Sequence, residues 1–180
     1  TKDFFDANKA VFRERVQAPF AALVEAAAAR LRRSVPDLGP PKVFRIYRDL
    51  RFSKDKTPYK TSMSASVPSR PRGEGGGPGV DTGFYVNVGP AGLYTASGLY
   101  HPDRADLQRV RAAIADPGMG PELEAVLRRA AGKGLEPWLD PLQRMPRPWP
   151  ADHPRAGLLK ARSLVLNRQH ERAPWLQTAE

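Results

Sequence analysis

KVFRIYRDLRFSKDKTPYK, residues 42–60, decides how the rest of the chain is read. From Val43 to Phe52 its side chains alternate. Phe44, Ile46, Arg48, Leu50 and Phe52 share one face, and Val43, Arg45, Tyr47, Asp49 and Arg51 share the other. Period-two alternation of aromatic and β-branched residues predicts a half-buried strand over 43–52. Ser53 to Pro58 predicts a turn, because serine and aspartate bond nearby backbone and Pro58 keeps Thr57 out of the helical region. Tyr59 to Val67 resumes as a strand, with Tyr59, Thr61, Met63, Ala65 and Val67 on one face. The stretch is therefore expected to be an antiparallel hairpin with charge at its tip and along one side.

That charge is concentrated. Lys42, Arg45, Arg48, Arg51, Lys54, Lys56 and Lys60 face only Asp49 and Asp55, so 19 of 180 residues carry +5 of the formal +10. The chain has 21 arginines and 8 lysines, and four of those lysines fall here, which enriches the hairpin in mobile point charges. Arginine offers a planar fork of donors and lysine a flexible ammonium; together they suit phosphate or carboxylate. Arg45, Arg48, Arg51, Lys54, Lys56 and Lys60 are the expected anion-binding set. Tyr47 or Tyr59 would support it by stacking or donating, and Asp49 and Asp55 would act as internal counter-ions. Arg48 sits among large apolar side chains, so its head must be paired or led out along its stem. The competing expectation is a solvated hairpin whose lysines blunt a sheet edge.

Working outward, residues 3–33 predict a helix. Phe5, Phe12, Val16, Phe20, Leu23, Ala27 and Leu31 recur at helical spacing, and Pro19 either kinks the helix or opens a second one. Arg13, Arg15, Arg30, Arg32 and Arg33 are expected on its solvated face. Residues 68–79, rich in glycine and proline, predict a mobile loop in which Arg70 and Arg72 could approach a ligand. Residues 82–88 and 93–98 predict two strands joined by Gly89–Gly92. Helices follow around Leu107–Ile114 and 121–131. The proline-rich 137–154 is expected to wrap the surface in extended conformation, and Leu158–Asn167 to form a last strand. The expected architecture is one α+β domain over 1–180, a long N-terminal helical segment packed on a mainly antiparallel sheet with further short helices.

Composition removes several function classes. Cysteine is absent, so disulfides, thiolate catalysis and cysteine-ligated metal centres are excluded. No apolar run reaches membrane-spanning length, and a cytoplasmic protein with no membrane partner is the default expectation. A pI near 10.3 favours acidic partners, nucleic acid among them. Outside 42–60, however, the other 161 residues carry only +5. The hydrolase, Walker, zinc-protease and dinucleotide motifs do not occur. No cofactor or metal is expected, since His101 with Asp103 falls short of the three or four ligands a metal needs. An enzyme acting on a small anionic substrate is the alternative expectation. Arg48 and Arg51 would clamp the substrate, and His101 or Tyr59 would serve as acid or base. The third is a structural or interaction domain whose charges form an internal network.

The central run also resembles the signature of the domain-of-unknown-function 2461 family, through Arg45–Asp49, Arg51–Lys56 and Thr57–Lys60. Phe5, Asn8 and Lys9 resemble the family's opening pattern, with Phe4 where tryptophan is usual. Gly98–Leu99–Tyr100–His101–Pro102, Asp152–His153–Pro154 and Leu158–Leu159–Lys160 resemble its later motifs. The resemblance covers nearly the whole chain. It implies one domain of a single conserved type, with a few residues preceding Thr1, and carries no activity over.

Overall fold

The computed structural model describes residues 2–49, 51, 54, 56–69 and 82–171. The expected mobile loop falls almost wholly outside them, as do Leu50, Phe52, Ser53, Asp55 and the last nine residues. Helix α1 (Lys2–Phe12) runs through a π turn (Arg13–Gln17) into α2 (Ala18–Leu31). Strands β1 (Lys42–Val43), β2 (Met63–Pro68), β3 (Gly83–Gly89) and β4 (Gly92–Leu99) follow. Helices α3 (Arg104–Ala115) and α4 (Met119–Ala131), strand β5 (Glu136–Trp138), a short α5 (Ala156–Leu159) and strand β6 (Leu164–His170) complete the chain. The strands form one antiparallel sheet in the order β1-β2-β3-β4-β6-β5, so the fold is α+β.

The long helix departs from the expected phase, and Pro19 supplies the reason. Proline has no N–H to donate and its ring crowds the carbonyl four residues back. The preceding turn widens to accommodate it, and the Ala18 N–H reaches the Arg13 carbonyl five residues away. A π turn holds one residue more than the α turn it replaces, so the apolar stripe slips by one position. Phe20, Val24 and Ala28 are buried, in place of the expected Phe20, Leu23 and Ala27. Val16 and Leu23 are left 42% and 54% exposed.

The hairpin is shorter than the alternation predicts. Regular pairing joins only Lys42 to Ser66 and Val43 to Ala65. Beyond that, the Phe44 N–H donates to the Ser64 carbonyl, Lys60 to Ile46 and Arg48 to Pro58, around a Tyr47–Tyr59 bridge. The faces follow the expected alternation: Phe44, Ile46 and Arg48 are half-buried while Arg45, Tyr47 and Asp49 are exposed. On the partner strand Met63, Ala65 and Val67 are buried.

Two expectations near the C-terminus are corrected. Leu158 and Leu159 lie on a helical turn, and the strand runs from 164 to 170. Short apolar runs do not distinguish strand from helix by periodicity alone. Pro137 and Trp138, the start of the segment 137–154 expected to wrap as polyproline, instead pair with β6, Pro137 opposite Leu166. Proline is tolerated there because β5 is an edge strand and needs no donor on its outer side.

The described residues fall into two compact units. The first comprises those within Thr1–Ser69, Tyr85–Thr95 and Gln169–Glu180, and the second those within Arg70–Phe84 and Ala96–Arg168. Phe20, Val24, Ala28, Leu38, Met63 and Val67 form the buried interior of the first. In the second, Leu99, Ile114, Leu159, Ala161 and Val165 are buried, together with Arg111.

Candidate functional site

Within the first unit, aromatic rings fix the hairpin against the N-terminal helix. Phe5 stacks on Tyr59 at 4.3 Å between centroids and meets Tyr47 edge-on at 6.1 Å. Phe12, about two helical turns further on, has its ring centroid 5.4 Å from that of Phe5. Rings in these offset and edge geometries combine area burial with favourable quadrupole contacts. Beside them the hairpin and the helix enclose a cleft of about 260 Å³. Phe5, Phe12, Phe44, Ile46 and Met63 make its apolar walls. Among the described residues its polar lining is Lys9, Arg13, Gln17, Arg45 and Tyr47, with no carboxylate.

Lys9, Arg13 and Gln17 were not expected at a site; Arg13 was assigned to a solvated face. A legible signal did exist, since Phe5, Lys9, Arg13 and Gln17 recur at intervals of four, the spacing of one helical face. What conceals its importance is the π turn, which supplies both Arg13 and Gln17 and follows from a proline two residues further on.

The hairpin's charged residues divide by their partners. Arg51 engages Asp49 through two donors, Nε to Oδ1 at 3.0 Å and Nη2 to Oδ2 at 2.6 Å. These bonds, the Arg51 backbone N–H and the nearby Arg45 charge hold the Asp49 carboxyl below the usual carboxylate range. Arg48 donates to the Thr57 hydroxyl at 2.8 Å, an answer to its half-buried position. Lys60 donates to the Arg45 carbonyl at 3.1 Å. Arg45 itself is exposed at the rim of the cleft, and Lys54 and Lys56 are exposed toward the tip. Asp55 lies outside the described residues. Tyr59 is half-buried among the rings, and that burial, with Asp6, Tyr47 and Asp3 nearby, pushes its phenol upward. It therefore stays protonated at neutral pH and can serve there as a donor.

His101 belongs to the second unit. Its backbone takes φ 45°, a left-handed conformation that side chains other than glycine seldom adopt. Its N–H donates to the buried Ser163 hydroxyl at 3.0 Å. The ring is exposed and stands edge-on to Tyr100 and Trp138, which stack on each other at 5.7 Å. Among the described residues no three histidine, aspartate or glutamate side chains gather to hold a metal, and no helix is long and apolar enough to cross a membrane.

A family model described as conserved hypothetical protein (DUF2461) matches residues 1–179. Comparison with curated proteins and with solved structures returns no match.

Proposed function

The chain belongs to the DUF2461 family of conserved hypothetical proteins, and we propose that in it the first unit is a binding module for a small anion, a carboxylate or phosphate, taken up in the cleft between α1 and the hairpin. The observation that carries the reading is the composition of that cleft: Lys9, Arg13 and Arg45 around apolar walls, with no carboxylate among the described lining residues. Three like charges over a low-dielectric floor create a potential that an incoming anion relieves. The guanidinium groups of Arg13 and Arg45 can fork onto two oxygens of one anion, which an ammonium cannot do. Gln17 and Tyr47 add neutral donors for remaining lone pairs.

The reading differs from the hairpin-only site in using the helix for two of its three cations. It keeps Arg45 and Tyr47 from that set and leaves Arg51 to Asp49. A nucleic acid would instead follow the exposed lysines of the tip, Lys54 and Lys56, and would bind with a steep dependence on salt.

Calorimetric titration with benzoate, phenyl phosphate and the neutral analogue benzamide tests the proposal. The two anions are expected to bind and benzamide not. Arg45→Ala or Arg13→Ala should each weaken binding by about tenfold or more, the value of a hydrogen bond to a charged group. Binding that responds only to the double substitution Lys54→Ala/Lys56→Ala would favour the tip. A folded protein that takes benzamide as well as benzoate would overturn the reading.

A further inference from the structure

The basic cleft adjoins a second, larger cavity. A groove of about 520 Å³ runs along the same helix, and Phe12, Ile46 and Met63 line both it and the cleft. On the helix side its wall is Val16, Pro19 and Leu23; across from them the β3–β4 turn contributes Val88 and Pro90. Val16 and Leu23 are among the more exposed large apolar residues of the chain. Their exposure follows from the slipped stripe: in an unbroken α-helix they would lie on the buried side. A concave apolar surface of this size on a soluble unit signals a ligand or partner.

Given the anion reading above, on which this step rests, we infer that the ligand is a single-chain anionic amphiphile. Its carboxylate or phosphate head occupies the cleft among Lys9, Arg13 and Arg45. Its alkyl or acyl chain crosses Phe12, Ile46 and Met63 and lies along the groove against Val16 and Leu23. Charge and polarity both select this class. Of the five cations lining the two cavities, Lys9, Arg13 and Arg45 lie in the cleft; the groove has Arg15 and Lys60, and the rest of its lining is apolar or small. The concavity selects a single chain over a bilayer, since a chain can enter between a helix and a turn and a flat surface cannot. Phe4 and Val11, also exposed on α1, line neither cavity, so docking on a lipid surface would be a separate event using other residues.

The test is a calorimetric series of straight-chain carboxylates from butanoate to decanoate, kept below micelle-forming concentrations, with the matched primary alcohols alongside. Affinity is expected to rise about two- to fourfold for each methylene that leaves water, and to level off when the groove is full. Leu23→Asp and Val16→Asp should collapse that slope. Both sites are exposed, so the variants should fold, which their thermal transitions will verify. A flat series with Arg45-dependent carboxylate binding intact would overturn the amphiphile and leave the anion module standing. Failure of every carboxylate to bind would overturn both. Alcohols binding as tightly as carboxylates would overturn the anionic head. Binding to phosphatidylserine vesicles that is lost in Phe4→Asp and kept in Leu23→Asp would overturn the single chain in favour of a membrane surface.

Discussion

Arg111 and Arg155 of the second unit do the opposite of Arg13 and Arg45 of the first, whose Arg32 also clamps main-chain carbonyls, those of Leu38 and Gly39. Arg111 in the second is 4% exposed, and it donates to the Leu159 and Ala161 carbonyls at 2.9 and 3.0 Å. Burial lowers its pKa from the usual value, yet a guanidinium stays charged at any physiological pH. Arg155 donates to the carbonyls of Ile114, Ala115 and Asp116 at the end of α3, where a helix leaves acceptors without intrahelical partners. In the first unit Arg13 and Arg45 instead line an open cleft. The difference teaches that a charge count does not reveal the role of an arginine. Where unsatisfied main-chain carbonyls lie within reach, the fork becomes a structural clamp; where they do not, it is available to a ligand.

That contrast can be broken in graded steps. The largest effect is expected at Arg111→Ala, which strands two carbonyls and opens a cavity; stability should fall by about 3–5 kcal/mol, measured by urea unfolding. Gly98→Ala comes next. Gly98 sits at φ +140° on β4, and a Cβ there would run into the Leu164 carbonyl of β6. A cost of about 3 kcal/mol is expected, visible as a lower thermal midpoint. Arg155→Ala should cost about 1–3 kcal/mol, because its carbonyls are partly solvated and water can replace some bonds. Arg45→Ala should stay within about 0.5 kcal/mol of wild type in stability while losing the ligand. If Arg45→Ala destabilised as much as Arg111→Ala, the division between clamp and receptor would collapse.

The smallest effect sharpens the clamp side. Asp116 accepts the N–H groups of Met119 and Gly118, and these bonds, with Arg155 nearby, hold its carboxyl below the ordinary value of 3.8. A depressed folded pKa means stabilisation present above the unfolded value and lost as pH falls through the folded one. Asp116→Asn keeps the oxygen acceptor and loses the charge. Wild type should therefore be the more stable protein at neutral pH, and the two unfolding curves should converge below about pH 3.8. Curves that stay apart in acid would assign the effect to shape and not to charge.

Much of the architecture was readable because it follows from local patterns. Met63, Ala65 and Val67 alternate inward as β-strand spacing requires, and Phe44, Ile46 and Arg48 hold their face even where regular pairing gives out. The unreadable parts depend on distant partners. Pro137 looks like a strand breaker until β6 is known to bond only one of its edges. Leu158 and Leu159 look like strand residues until they fall on the turn before Ala161, whose carbonyl Arg111 holds. At the site, Arg45 and Tyr47 were legible from the hairpin alone. Lys9, Arg13 and Gln17 were not, because their meeting with Arg45 depends on how the helix lies against the hairpin. The rings of Phe5, Tyr47 and Tyr59 set that arrangement.

The π turn also changes what it means for two chains to share this surface. The groove depends on Val16 and Leu23 being turned outward, and that depends on how many residues separate Phe12 from Phe20. Its specification is in this sense arithmetical. A chain with every lining residue identical but one residue more in that interval, the π turn kept, would turn Leu23 to the buried face and have no groove. Spacing between anchor points, more than identity at each position, is the quantity to compare among relatives.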